Sequence, residues 1–333
     1  MENSVIMASR VRLARNYEDL PFDTAQKSDL AAMCVARTVN ALNLTGSGES
    51  FDLIRLSALT ENERRSLEES HIISHDLLKN ADSAAVLMRE SEGLTVMMNE
   101  DDHLRIQAVR PGLDLLSAAA SCFQVDDDLS RQVVFAYDRQ LGYLTACPTN
   151  TGTGMRASLV MHLPMLTLCK QMGNVGQLVA KVGLTIRGVY GEGSEALGNI
   201  YHVSNQVTLG RTEQELISTV TAVGNQLQDM EKALREKSLK EGRVALEDAV
   251  FRAWGVMKHA RLMPLNEFFK HFSGVRLGVE LGMIHIPMTV VDAMLEQCQD
   301  AHLRAYAEKP LSGRELEEAR AARIREILAD VEE

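Results

Sequence analysis

The chain has 333 residues, 45% of them apolar and 24% charged, and its 46 acidic and 35 basic side chains leave a net charge of -11. That is enough apolar material for one large or two ordinary soluble domains, and the acidic balance argues against a nucleic-acid or anionic-membrane partner. The five cysteines are odd in number, widely spaced and without a CxxC pair, no apolar run approaches the roughly 18 residues of a membrane helix, and the N-terminus has no secretory pattern, so a cytoplasmic protein is expected.

Residues 24–42 have helical periodicity, with Asp23 or Thr24 as cap. Residues 51–56 alternate as a strand. Segments 84–89 and 94–99, joined by Glu90-Ser91-Glu92-Gly93, read as a hairpin, and 104–109 as the next strand. A helix is expected at 113–123, then a second hairpin from 132–137 and 143–147 about a turn at 139–142. Segments 156–170 and 176–182 read as helices, the first kinked or broken at Pro164. Strands follow at 184–189 and 200–209. From Thr212 onward charged helical stretches take over, at 212–237, 241–259, 264–272, 289–307 and 312–331. The pattern predicts an α+β fold, a mainly antiparallel sheet flanked by helices and followed by an all-helical module. The boundary is placed near 235–242, giving residues 1–236 and 237–333.

The most informative segment is Ala146-Cys147-Pro148-Thr149-Asn150-Thr151-Gly152-Thr153-Gly154-Met155-Arg156. Glycines let backbone approach a ligand, arginine supplies a permanent forked cation suited to phosphate, and a cysteine beside positive charge is a candidate thiolate. Four further segments carry similar residue types. They are Ser9–Asn16, with Arg10 and Arg12, then Asn99-Glu100-Asp101-Asp102-His103-Leu104-Arg105, the stretch Arg187–Glu195 with Gly188, Gly191 and Glu192, and Asn199-Ile200-Tyr201-His202-Val203-Ser204-Asn205-Gln206. Each alone is weak: lone arginines and carboxylates are usually solvated surface, and an isolated cysteine is more often a small buried apolar residue. As a set, five arginines (Arg10, Arg12, Arg105, Arg156, Arg187) with two acidic loops and a cysteine describe phosphoryl transfer. The arginines would grip a polyphosphate and the carboxylates a cationic acceptor.

These segments resemble the phosphagen kinase (ATP:guanido phosphotransferase) superfamily, and in particular the bacterial protein-arginine kinases of the McsB family. The similarity runs from about Val5 to Glu215, and the helical C-terminal third resembles that family's extra module more loosely. Only eight residues precede Ser9, whereas kinases of free guanidino metabolites carry substantial helical mass before this segment, which favours the protein-directed branch. The resemblance implies ATP with Mg²⁺ held mostly by phosphates and water. It implies ATP contacts from Ser9, Arg10, Arg12, His71, Arg105, Arg156, Ala157, Ser158, Arg187, Gly188 and Gly191. Asp101, Cys147 and Glu192 would be the catalytic groups, with no protein metal site. It also implies protein substrates with accessible arginines, a zinc-containing activator protein, a Clp protease that receives marked clients, a heat-shock repressor as one target, and a homodimer through the C-terminal helices.

The chain departs from the family at two places. The acidic loop of the family has glutamate where this chain has Asp101, one methylene shorter by on the order of 1.5 Å. Strand alternation is expected to point Glu100 the other way. Either the backbone compensates, or the chain is a weakly active or non-catalytic nucleotide- or arginine-binding regulator. A kinase of a free guanidino metabolite is the further alternative. Near the C-terminus, Arg314-Glu315-Leu316-Glu317-Glu318-Ala319 stands where the family binds phosphoarginine through two arginines. The second is Glu318, and Arg320 follows two positions late, a rotation of about 200° on a helix.

Overall fold

A computed structural model describes residues 5–22, 27–45, 51–189 and 196–329. The chain opens with strand β1 (Ile6–Arg15), helix α1 (Ser28–Leu44), β2 (Asp52–Arg55) and α2 (Glu61–Glu69). It continues through β3 (Ala85–Arg89), β4 (Leu94–Met98), β5 (Leu104–Pro111), α3 (Leu115–Ser130) and the short hairpin β6 (Tyr137–Asp138) and β7 (Gly142–Tyr143). Next come β8 (Met155–His162), α4 (Pro164–Leu168), α5 (Met172–Lys181), β9 (Leu184–Gly188) and β10 (Ile200–Asn205). Helices α6 (Glu213–Glu241), α7 (Arg243–His259), α8 (Leu265–Glu280), α9 (Met288–Gln297), α10 (Asp300–Ala307) and α11 (Arg314–Ala329) complete it.

Eight strands form one antiparallel sheet in the order β2-β3-β4-β5-β1-β8-β10-β9. The α+β class expected from the pattern is therefore present, with two changes of element. Residues 155–162 form a central strand rather than the start of a helix. The reason is the period: Met155, Ala157, Leu159 and Met161 are buried together against the helices, a two-residue repeat. Pro164 then opens α4 at a position where its missing N–H costs nothing. The second hairpin is also shorter than expected, since residues 144–147 leave the ladder. The expected cap at Asp23 or Thr24 lies outside the described residues.

Local chemistry sets several helix starts. Thr60 with Glu63 and Thr212 with Glu215 form capping boxes on α2 and α6, each satisfying orphan N–H groups at both ends of the motif. One sheet face packs on α1, α3 and α6 through Val11, Leu13, Ile106, Ala157, Leu159 and Val203. Gly224 of α6 lets that helix lie close, since a Cβ there would stand 2.3 Å from Leu159 Cδ1.

Among the described residues, the other face is covered at its two ends. At one, Leu56, Ile73, Leu77, Val86 and Met97 pack the segment around α2 onto β3 and β4. At the other, Phe268, Phe269 and Phe272 of α8 pack with Ile200, Met7 and Val160. A buried ionic network ties this second contact: His162 at the end of β8 meets Ser273, Arg276 and Glu280 of α8, and Glu280 also pairs Arg235 of α6. Burial would raise the Glu280 carboxyl, but His162, Arg276 and Arg235 together carry it down to about 2, so it stays ionised. Between the two covered ends the sheet face is open, and α2 meets α10 across the opening. The Glu69 carboxylate accepts from the Ala301 and His302 amides at 2.9 and 3.2 Å and from His302 Nδ1 at 2.8 Å.

Candidate active site

Strand register gathers the arginines. Arg12 on β1 stands opposite Gln107 of β5 and Arg156 of β8, and Arg10 stands opposite Val109 and Ser158. His202 of β10 stands opposite Val160 and Arg187, and Arg105 pairs across β5 with Ala14 and Met97. Since side chains alternate along each strand, these positions share the open face. Among the described residues, Glu100 offsets Arg105, while Arg10, Arg12 and Arg156 lie close to one another's charge. Burial first, then Arg105 and Arg156, hold Arg10 down to about 10. Burial and the same neighbours, with Arg10, hold Arg12 well below the usual arginine range. Burial, Arg187 and Arg105 lower Arg156. A half-buried cluster of like charges costs free energy that a polyanion would relieve.

Arg10, Arg12, Arg156, Arg187 and His202 line two adjoining cavities of about 890 and 310 Å³, both bordered by Arg10, Arg12, His71 and Val189. Arg156, Arg187, Gly188 and His202 border the smaller, and Gln107, Ser74, Leu265 and Asp300 the larger. His71 has a left-handed backbone, φ 57°, and its carbonyl accepts from Gln107 Nε2 at 3.0 Å, which holds the ring over the cleft mouth. Desolvation at the cleft, and then Arg10, lower its imidazole to about 4, although the residue keeps an exposed edge.

Two expected phosphate contacts face elsewhere. Ser9 is buried on the opposite face of β1, where its hydroxyl donates to Gly112 O at 2.7 Å and accepts from Asp114 N at 2.8 Å. Ala157 likewise points into the helix-side core. Ser158 shares the arginine face but donates its hydroxyl to Arg10 O at 3.1 Å. Glu192 and Gly191 lie outside the described residues.

The acidic loop also differs from expectation. Residues 99–103 are a bend, not a strand, so alternation does not apply to them. Glu100 turns inward, is buried, pairs with Arg105 and accepts the Ser74 hydroxyl. Burial raises its carboxyl, against the pull of Arg105, Ser74 and Arg12. Asp101 is exposed beside it. Asp102 is buried and its Oδ1 accepts from Asn16 Nδ2 at 2.6 Å and Ala146 N at 2.7 Å. His103 accepts from Tyr17 N at Nδ1, 2.9 Å, and meets Pro21 O through Nε2, 2.9 Å.

Cys147 is half-buried, with Sγ 3.0 Å from the Thr149 hydroxyl. Its loop is pinned on both sides: Thr145 Oγ1 donates to Cys147 O at 2.7 Å, and Thr208 Oγ1 lies 3.0 and 2.7 Å from Thr149 O and Thr151 O. Gly152 and Gly154 have φ of 122° and 64°, and a Cβ on them would meet Thr208 O at 2.8 Å and Ala14 O at 2.6 Å. Only glycine fits both the backbone conformation and the space.

Gln107, His202, Ser74, Asn16 and Asp102 complete the site and were not singled out as site residues. Gln107 follows Arg105 by two in one strand, a signal alternation could have supplied; the others depend on distant pairing. Near the C-terminus, Arg314 is exposed and pairs with Glu318 at 3.2 Å. Arg320 is buried and donates to Cys298 O and Met263 O, both at 2.8 Å, and to Asp300. Its fork is spent on the ends of neighbouring helices.

Residues 33–234 match the family described as ATP:guanido phosphotransferase, C-terminal catalytic domain, and residues 243–333 the protein-arginine kinase McsB C-terminal domain. The chain is 41% identical over 329 residues to the protein-arginine kinase of Moorella thermoacetica, covering 98% of this chain and 94% of the relative. It is 40% identical over 331 residues to that of Geobacillus kaustophilus, covering 98% and 91%. Among solved structures, the duplicated taurocyamine kinase of Schistosoma mansoni superposes with a TM-score of 0.63 at 24% identity, over 78% of this chain and 39% of that one. Lombricine kinase superposes at 0.60 and 23%, over 71% of this chain and 69% of that one, and both likenesses speak to fold alone. With sequence relatives aligned over nearly its whole length and the arginine-lined cleft on its sheet, the chain belongs to the protein-arginine kinase family of the ATP:guanido phosphotransferases.

Proposed function

We infer that this chain transfers the γ-phosphoryl group of ATP to a guanidino nitrogen of arginine residues in proteins. The observation that carries the reading is the convergence of Arg10, Arg12, Arg105, Arg156 and Arg187 on one sheet face, where Arg10, Arg12 and Arg156 are held below the usual arginine range. Such a field suits a triphosphate, and it stabilises charge on the transferred group most where the group is held by several guanidiniums at once.

The acceptor side would be built from Asp101, Cys147 and Glu192. A guanidinium is protonated near neutral pH, so a proton must leave as its nitrogen attacks. Carboxylates orient the planar group by forked hydrogen bonds, and one of them takes the proton. The new N–P bond forms as the bond from the γ-phosphorus to the bridging oxygen breaks and ADP departs. Arg10, Arg12, Arg105, Arg156 and Arg187, with His71, Ser158, Gly188 and Gly191, would surround ATP. Among the described residues no three His, Cys, Asp or Glu side chains gather to hold a metal ion. Mg²⁺ would be carried mainly by phosphate and water, where it would neutralise phosphate charge.

Residues 1–236 would form the catalytic part and 237–333 the helical part, which would also mediate a homodimer. Arginine-phosphorylated clients would be handed to a Clp protease, with a zinc-containing protein as activator, in a cytoplasmic stress response. Among the described residues no helix is long and apolar enough to cross a membrane. The test is incubation with Mg-ATP and an arginine-rich protein, with modified residues mapped by mass spectrometry under non-acidic conditions. Phosphoarginine formation is the expected result. Binding of ATP without turnover would identify a regulator instead, and phosphorylation of free arginine alone a metabolite kinase.

A further inference from the structure

His202 sits in the middle of the arginine face, on β10, and its Nε2 is 2.8 Å from Nη2 of Arg10. A guanidinium has only donors, so the imidazole nitrogen it meets must offer a lone pair. Geometry alone therefore makes His202 the acceptor, and neutral. Its surroundings agree. Arg10 and Arg12 of β1, Arg156 of β8 and His71 across the cleft all face it, and Arg187 of β9 is its register partner. Burial, then Arg10 and Arg12, push its pKa well below the usual histidine range.

Other arginines near the sheet are held differently. Arg105 is paired to the Glu100 carboxylate, and Arg15, on the same strand as Arg10, makes a two-pronged pair with Asp126 at 2.8 and 2.7 Å. Both partners cancel most of the charge they hold. No described carboxylate supports Arg10, and its buried Nε has no hydrogen-bond partner among the described residues. A neutral acceptor fixes the fork in direction while leaving its positive charge uncancelled at the cleft that Arg10 lines. We propose that His202 is a positioning residue for ATP: it aims Arg10 at the polyphosphate without neutralising it.

This rests on the reading of ATP as phosphoryl donor. The test measures Mg-ATP binding by calorimetry, and KM and kcat with a protein acceptor, for the wild type, His202→Gln, His202→Asp and His202→Leu, with thermal unfolding as a folding control. Glutamine supplies a neutral oxygen acceptor and should keep Kd and KM for ATP within about threefold. Aspartate adds a cancelling charge and leucine removes the acceptor; each should raise Kd and KM about tenfold, with kcat at saturating ATP changed by less than about threefold. Wild-type affinity in His202→Asp would overturn the inference, as would equal losses in His202→Gln and His202→Leu. If His202→Leu does not fold, the glutamine and aspartate variants decide the matter alone. A wild type that does not bind Mg-ATP would overturn the donor reading itself, which the variant series then could not rescue.

Discussion

Asp102 Oδ1 accepts the backbone N–H of Ala146 at 2.7 Å. Asp101 precedes one end of this hydrogen bond and Cys147 follows the other, so a single buried carboxylate sets the spacing of two proposed acceptor-side groups. Asn16 reinforces it, donating from Nδ2 to Asp102 at 2.6 Å and to Leu144 O at 3.1 Å. Burial raises the Asp102 carboxyl, while Ala146 and Asn16 hold the ionised form.

Removing that link should hurt catalysis more than binding. Asp102→Ala removes the acceptor of the Ala146 N–H and of one Asn16 N–H and should cost about 1 kcal/mol of stability. The loosened loops should lower kcat roughly 10²-fold, with KM for ATP little changed. Steady-state kinetics beside denaturant unfolding would check both, and a variant with normal kcat would remove Asp102 from the positioning role.

Asp101 is exposed and one methylene short of the family glutamate. Asp101→Asn should abolish transfer while leaving ATP binding intact. Asp101→Glu should raise kcat, because about 1.5 Å of reach is restored. A fall in kcat on lengthening would show that the cleft is built around aspartate.

The arginine cluster trades stability for binding. Arg12→Met removes a half-buried charge repelled by Arg10, Arg105 and Arg156. Without nucleotide the variant should be more stable by about 1 kcal/mol. At ATP concentrations near 100 times Kd the wild type should gain about 2.7 kcal/mol, and the variant far less. Thermal unfolding with and without Mg-ATP measures both, and equal nucleotide stabilisation of the two proteins would contradict the clamp.

His302 links α10 to α2. Hydrogen bonds to Glu296 and Glu69, at 3.2 and 2.8 Å, raise its pKa from 6.5 to about 9. The folded state binds this proton more tightly than the unfolded one. The stabilisation is therefore complete below about pH 6.5 and is lost as pH rises through about 9. The stability gap between wild type and His302→Gln should shrink across that window, and a gap independent of pH would exclude the charged contact.

The amino-acid pattern by itself determined the fold class, the helical C-terminal third and the identity of the arginine, cysteine and acidic segments. Those signals are local: Arg10 and Arg12 alternate, Thr212 and Glu215 cap a helix, and the Gly152–Gly154 loop needs glycine. Tertiary structure decided which side chains meet. Ser9 adjoins Arg10 in sequence yet faces away, because β1 is flanked on both sides and its alternate residues belong to opposite faces. Residues 155–162 carry apolar side chains at alternate positions, and they become a strand where β1 and β10 pair with them on either side. Glu100 turns to Arg105 because its loop bends. His202 becomes a partner of Arg10, 192 positions away, only when β8 brings β1 and β10 to either side of itself. Pairing across a sheet is set by the summed burial of whole strands, and no single segment carries that information.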